Sequence, residues 1–446
     1  MSERAPGGTD PSAGGFHPST RAYRLVLLVF VGLLTYGSYF AYDVVGALAP
    51  TLMNAWHTTQ EGIGSLYTAY SVAAILTVAL GGYLADRLGT RLTGILLAAV
   101  VALGAAIVAL APSLSVAMAG RFLFGAGSES LIVAQSAMLA RWFRGKELAF
   151  SFGVTLTLAR LGTLFSFNTA SSTASLFGWQ AALWVAVLLC VASVLCALAY
   201  WVMDRRAERP LQLQEAGAGD KIVLADIRQF PVSFWYVVLL CVAFYSAIFP
   251  FTALSTDFFH EKWGMPLTIG VAGGFLAQVF SDFLHMFSTA PGTTSIIIFA
   301  SMCLAPFAGG LVDRVGRRAT LMALGALLMV PCYLLLAFTL VAPRWPMILL
   351  GAAFVLVPAA IWPAVALIVD PKRTGTAYGL MTMVQNMGLA LFPWLNGRLR
   401  VITHDYTASM MMFAGLGVAG LLFALLLRRA DARAGGVLER GHVPVA

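Results

Sequence analysis

Twelve apolar runs of about 20 residues each follow one another along the chain, and that length matches the hydrocarbon thickness of a bilayer. The first six fall near residues 25–48, 61–84, 92–112, 115–140, 147–169 and 179–202. The second six fall near 232–257, 291–312, 320–341, 346–369, 375–396 and 407–428. Only 11% of the residues are charged, against roughly 25% in ordinary globular chains. The pattern predicts an all-α membrane protein of twelve transmembrane helices in two six-helix halves. The net charge of +8 is no sign of nucleic-acid binding, because the basic residues lie between the apolar runs.

Lys and Arg set the orientation. With the N-terminus inside, the inner segments hold nineteen of them and the outer segments only Lys262, Arg344, Arg398 and Arg400. The positive-inside rule then places both termini in the cytoplasm of a multi-pass protein. Residues 1–20 read as a disordered tail, 21–203 as the first half, 204–230 as a cytoplasmic linker, 231–429 as the second half and 430–446 as a C-terminal tail. Residues 266–290 carry a one-sided apolar pattern interrupted by Asp282 and His285. An extra crossing there would put the following basic motif outside, so this insertion is expected to form an outer-face amphipathic helix, on the membrane surface or over the cavity.

Two runs carry a charge where charge is costly. Glu129 lies near the middle of the fourth run and Arg160 near the middle of the fifth, joined by the basic turn Arg141-Trp142-Phe143-Arg144-Gly145-Lys146. Each charge lies roughly 20 Å along its helix from that turn, at about 1.5 Å per residue. Both therefore sit at one level near the bilayer midplane, where an ionisable group is a functional candidate by default. Two readings stand: a clamp for a zwitterion, or an ion pair that locks two helices together. A short peptide carries fixed opposite charges about 5–7 Å apart, estimated from backbone dimensions. A guanidinium fork suits its carboxylate.

Asp86-Arg87-Leu88-Gly89-Thr90-Arg91 after the second run returns as Asp313-Arg314-Val315-Gly316-Arg317-Arg318 after the eighth. With twelve runs in two halves, this repeat resembles the loop motif of the major facilitator superfamily. Further segments resemble its lysosomal dipeptide carrier branch. They include Gly37 to Asp43, Gly120-Arg121-Phe122 through Gln135, Ala159-Arg160-Leu161-Gly162, Phe249-Pro250-Phe251, Ile361-Trp362-Pro363 and Gln385 to Ala390. That resemblance implies transport of dipeptides by alternating access, with the peptide amino group on Glu129 and its carboxylate on Arg160. Uniport is the implied mode, with protons as the alternative coupling ion. The 266–290 insertion departs from the animal members of the branch, and the N-terminal tail lacks an acidic-dileucine sorting signal. Only four of the 28 basic residues are Lys, a bias that points to a GC-rich genome and to a bacterial cytoplasmic membrane.

Further candidate substrate contacts are Tyr42 and Asp43, weighed against solvation at the outer mouth, and Tyr245, Trp362, Gln385 and Asn386, weighed against core packing or interhelical hydrogen bonding. Asp43 lines the substrate path, pairs with Arg121 or carries a coupling proton. Asp86, Arg87, Arg91, Arg121, Arg141, Asp313, Arg314 and Arg317 are gating candidates, with Asp86 expected to pair with Arg141 or Arg144. The alternative functions are an exporter of drugs or organic ions and a non-transporting sensor. No nucleophile–base or metal constellation and no Walker motif is present, so neither an enzyme nor an ATP-driven pump is expected, and no cofactor or metal. The expected partners are a dipeptide and the lipid bilayer, with the protein a monomer.

Overall fold

The computed structural model describes residues 17–143, 147–211, 227, 229–270, 274–370 and 373–440. Tail residues 1–16 and 441–446, turn residues 144–146 and linker residues 212–226 and 228 lie outside the described residues. So do Val271, Lys372 and the side chain of Asp313.

The first crossing is two helices, α1 (Arg21–Leu33) and α2 (Tyr36–Ala47). The break between them frees backbone carbonyls in an apolar setting, and each must find a donor. The buried Gln135 amide supplies one, donating to the Val31 carbonyl at 2.6 Å and to Thr35 Oγ1 at 3.2 Å. After the short α3 (Ala49–Ala55) comes α4 (Gln60–Leu110), then α5 (Leu114–Phe143), α6 (Leu148–Phe177) and α7 (Trp179–Leu211). The second half holds α8 (Val232–Trp263), the short α9 (Phe275–Leu284), α10 (Ala290–Val315), α11 (Arg318–Phe338), α12 (Arg344–Ile368), α13 (Thr374–Thr403) and α14 (Thr407–Arg433).

Ten described helical stretches are long and apolar enough to cross a membrane. One of them, α4, has 51 residues and would run about 77 Å if straight, more than twice a bilayer's hydrocarbon core. It breaks at Gly89, where φ is 76° and ψ 158°, and so makes two crossings. The polar α13, with Gln385, Asn386 and Asn396, is the twelfth. Gly316, at the same place in the second loop motif, has φ 68°. Both copies thus use glycine where an L side chain is disfavoured, which is the physical content of the repeat.

The expected boundaries shift at two places. α7 continues past residue 204 to Leu211, so Asp204 is helical and fully buried. The C-terminal segment after α14 docks on the second loop motif. Leu438 is buried, its carbonyl accepts from Arg318 N at 2.8 Å, and the Glu439 carboxylate accepts from Thr320 N at 2.9 Å. A carboxylate over the free amides that open α11 is stabilising there.

Candidate functional site

Close helix approach builds the site. A Cβ on Gly125 would collide with the Tyr70 carbonyl, and one on Gly162 with the Tyr36 carbonyl. These contacts bring α4 against α5 and α2 against α6. Tyr70 on α4 then donates its hydroxyl to Glu129 Oε1 at 2.8 Å. The Tyr70 ring meets Tyr42 at 4.9 Å, and Tyr42 meets Phe249 of the second half at 6.4 Å. Glu129 therefore faces the junction of the halves.

Arg160 reaches the same junction from α6. Its Nη1 donates to Ser301 Oγ on α10 at 3.3 Å, and its guanidinium lies 4.2 Å from the Phe354 ring centroid on α12. Phe249 stands 5.6 Å from Phe354 and so connects the two neighbourhoods. Tyr39, which sequence reasoning missed, lies close enough to feel the charges of Glu129, Arg160 and Asp43. Both charged side chains stay half-buried. Among the described residues no ion pair joins them; each rests on neutral partners.

The other expected contacts fall around this pair. Tyr245 accepts from Trp362 Nε1 at 3.0 Å and stacks on Phe249 at 5.9 Å. Trp362 also offers its carbonyl to the Tyr378 hydroxyl at 2.9 Å. Gln385 accepts weakly from Cys241 Sγ at 3.7 Å. Buried Asn386 donates to the Thr382 carbonyl at 3.1 Å within its own helix, while its Oδ1 has no partner among the described residues. Asp43 is buried.

Arg121 lies elsewhere. It is 1% exposed and donates to the carbonyls of Ala41 at 3.0 Å and Tyr42 at 3.3 Å. Tyr42, Tyr67, Tyr70 and Phe124 ring its guanidinium at 5.1–5.6 Å. No ion pair to Asp43 is seen among the described residues. Arg121 instead fixes the α2 backbone that carries Tyr42 and Asp43.

At the end of the bundle that carries the two loop motifs, Arg91 and Arg141 converge on Asp204, at 2.5 and 3.1 Å, and Trp142 Nε1 donates to the same carboxylate at 2.6 Å. Asp204 was not foreseen as their partner. Arg91 also meets Glu208 at 3.0 Å. These bonds tie α4, α5 and α7 together within the first half. Asp86, Arg87, Arg314 and Arg317 are exposed, and the Arg87 guanidinium lies 5.3 Å from the Tyr83 ring.

At the opposite end of the bundle, a set of bonds crosses between the halves. Gln60 donates to Asp257 Oδ2 at 3.0 Å, and that oxygen also accepts from Tyr406 at 2.5 Å. Glu61 accepts from Trp394 at 3.0 Å and pairs with Arg398 at 3.0 Å. Thr68 donates to the Ala390 carbonyl at 2.5 Å. The backbones touch here too, because a Cβ on Gly64 would meet the Pro393 carbonyl and one on Gly397 the Gln60 carbonyl. The two halves are thus closed against each other at this end of the bundle. Sequence reading offered no signal for this latch beyond polar residues at span ends.

The arrangement is a bundle of two related halves with unmatched opposite charges at their junction. The profile of the Major Facilitator Superfamily matches residues 28–304 and 284–445. The chain belongs to the major facilitator superfamily. It is 33% identical to the lysosomal dipeptide transporter MFSD1 of Danio rerio over 423 residues, 92% of this chain and 87% of that protein. It is 32% identical to the protein of the same name from Homo sapiens over 436 residues, 95% and 89% of the two chains. The superfamily fold is also that of the nucleoside transporter NupG, with a TM-score of 0.70 at 16% identity over 90% of this chain and 99% of that one. A bacterial homologue of the lysosomal transporter Spinster, in an inward-facing and occupied conformation, gives 0.66 at 15% identity over 96% and 100%. This superfamily member is therefore a membrane transporter and not an enzyme.

Proposed function

We propose that the protein carries dipeptides across a bacterial cytoplasmic membrane, with Glu129 binding the peptide amino group and Arg160 its carboxylate. The observation that carries this reading is that, among the described residues, no ion pair joins the two charges. A structural ion pair would be closed, whereas among the described residues Glu129 meets a tyrosine hydroxyl and Arg160 a serine hydroxyl and an aromatic ring. Opposite charges left unpaired inside a membrane protein are unfavourable, and a zwitterion of suitable length would relieve both at once. The full-length similarity to proteins named as dipeptide transporters supports the same substrate class.

Recognition through the two ends leaves the peptide side chains to the aromatic surroundings, Tyr42, Tyr245, Phe249 and Trp362, so side-chain specificity should be broad. With the outer latch closed, the site exchanges with the inner side; rocking of the halves would expose it outward. The test is dipeptide uptake into proteoliposomes by Glu129→Gln and Arg160→Lys proteins. Loss of uptake in both, with unchanged melting temperatures, is the expected result. Undiminished uptake in both rejects the clamp. Imposing an acid-outside gradient in the same assay separates uniport from proton symport, since only symport accumulates peptide above equilibrium.

A further inference from the structure

The insertion between α8 and α10 is neither laid flat on the surface nor placed over the outer mouth. Its neck is pinned to the second half, where Ala290 N donates to the Pro266 carbonyl at 2.9 Å. From there α9 runs beside α6 of the first half. Phe275 meets Phe177 at 5.8 Å and Phe283 meets Phe165 at 5.0 Å. Phe177 ends α6 at the outer side, and Phe165 lies twelve residues further in, about 18 Å at 1.5 Å per residue. α9 therefore descends antiparallel to α6 into the outer half of the bundle's flank.

Its amphipathicity is inverted for a helix beside water. Gln278, Ser281 and Asp282 are only 4%, 5% and 4% exposed. Leu276, Phe280 and Leu284, at i, i+4 and i+8, are 80%, 67% and 63% exposed. The polar side satisfies itself inward: Gln278 donates to the Ile269 carbonyl and to Asp282 Oδ1. An uninterrupted ridge of large apolar groups is unfavourable in water. It continues the exposed apolar flank of α6, where Phe165 and Phe177 also face outward.

We propose that α9 is a re-entrant strap embedded in the outer leaflet, with its Leu276–Phe280–Leu284 ridge against lipid acyl chains and its polar side turned to protein, bridging the second half to α6 of the first. The occupant of the ridge is lipid, because the ridge bears no charge and is continuous with the flank of a membrane-crossing helix. Backbone at this depth is tolerated only where helix or protein contacts satisfy it, and among the described residues α9 is helical and the Ala290–Pro266 bond closes its neck.

The test uses nitroxide labels on the full chain in phosphatidylcholine liposomes, after Cys303→Ala removes the exposed native thiol. Labels are placed singly at Leu276→Cys and Phe280→Cys. Phe307→Cys on the flank of α10 and Thr403→Cys outside the membrane serve as references. Collision rates with dissolved oxygen and with a water-soluble nickel chelate are read by power saturation. The strap predicts an oxygen-to-nickel ratio several-fold above that at Thr403→Cys and close to that at Phe307→Cys. A ratio like that at Thr403→Cys would mean water covers the ridge and overturns the proposal. Low collision with both reagents, or spin–spin broadening between copies, would mean protein covers it and overturns the proposal equally.

Discussion

Removing the outer latch should open the molecule outward, and the structure sets the size of the effect. Gln60→Ala with Glu61→Ala removes three described bonds between the halves, to Asp257, Trp394 and Arg398. A hydrogen bond to a charged group contributes about 1.5–3 kcal/mol. The Glu61–Arg398 pair is exposed and screened, so it contributes about 0.5 kcal/mol. Thr68 and the glycine contacts remain, and water replaces part of what is lost when the mouth opens. A net shift of about 3 kcal/mol follows, roughly a hundredfold in the closed-to-open ratio. Nitroxides at Asn54→Cys and Thr403→Cys flank the mouth on opposite halves and are both exposed. Pulsed dipolar spectroscopy should show a longer-distance population appearing in the double variant. An unchanged distance distribution in folded protein would refute the assignment of these bonds as the element that holds the outside shut.

Three further outcomes are expected. Gly397→Val places its branch against the Gln60 backbone and should wedge the mouth open, abolishing uptake while the protein still folds, as size-exclusion profiles and melting curves would show. Asp204→Asn leaves Arg91 and Arg141 without their shared buried carboxylate and should cost about 3–5 kcal/mol, read as a clear drop in melting temperature. Tyr70→Phe removes the hydroxyl on Glu129 and should weaken peptide binding by roughly tenfold or less, about 1 kcal/mol, measured by competition with a labelled dipeptide.

The crossings were legible because they depend on local facts, namely run length and helix rise. The repeat of Asp-Arg-x-Gly was legible because glycine is required at the same break in each half. The rest depended on partners far away in the chain. Asp204 sits in a stretch that reads as a charged linker, and only Arg91, Arg141 and Trp142 make its burial possible. Gln60, Glu61, Asp257 and Arg398 look like solvated span ends until the two halves meet. Arg121 suggested an acidic partner, yet its donors go to carbonyls, which no side-chain pattern announces. In α9 the period revealed a helix with two faces but not which face turns inward, because that is set by the flank of α6.

Two-ended recognition is best judged by crossing substrate changes with protein changes. Competition constants would be measured for a free dipeptide, its N-acetylated form and its C-amidated form, on the parent protein and on Glu129→Gln and Arg160→Lys. Acetylation should cost the parent at least tenfold and cost Glu129→Gln almost nothing more, and amidation should behave likewise toward Arg160→Lys, because each pair of changes removes one interaction. If the losses instead multiply, so that blocked peptides are penalised as heavily by the variants as by the parent, Glu129 and Arg160 do not hold the peptide ends.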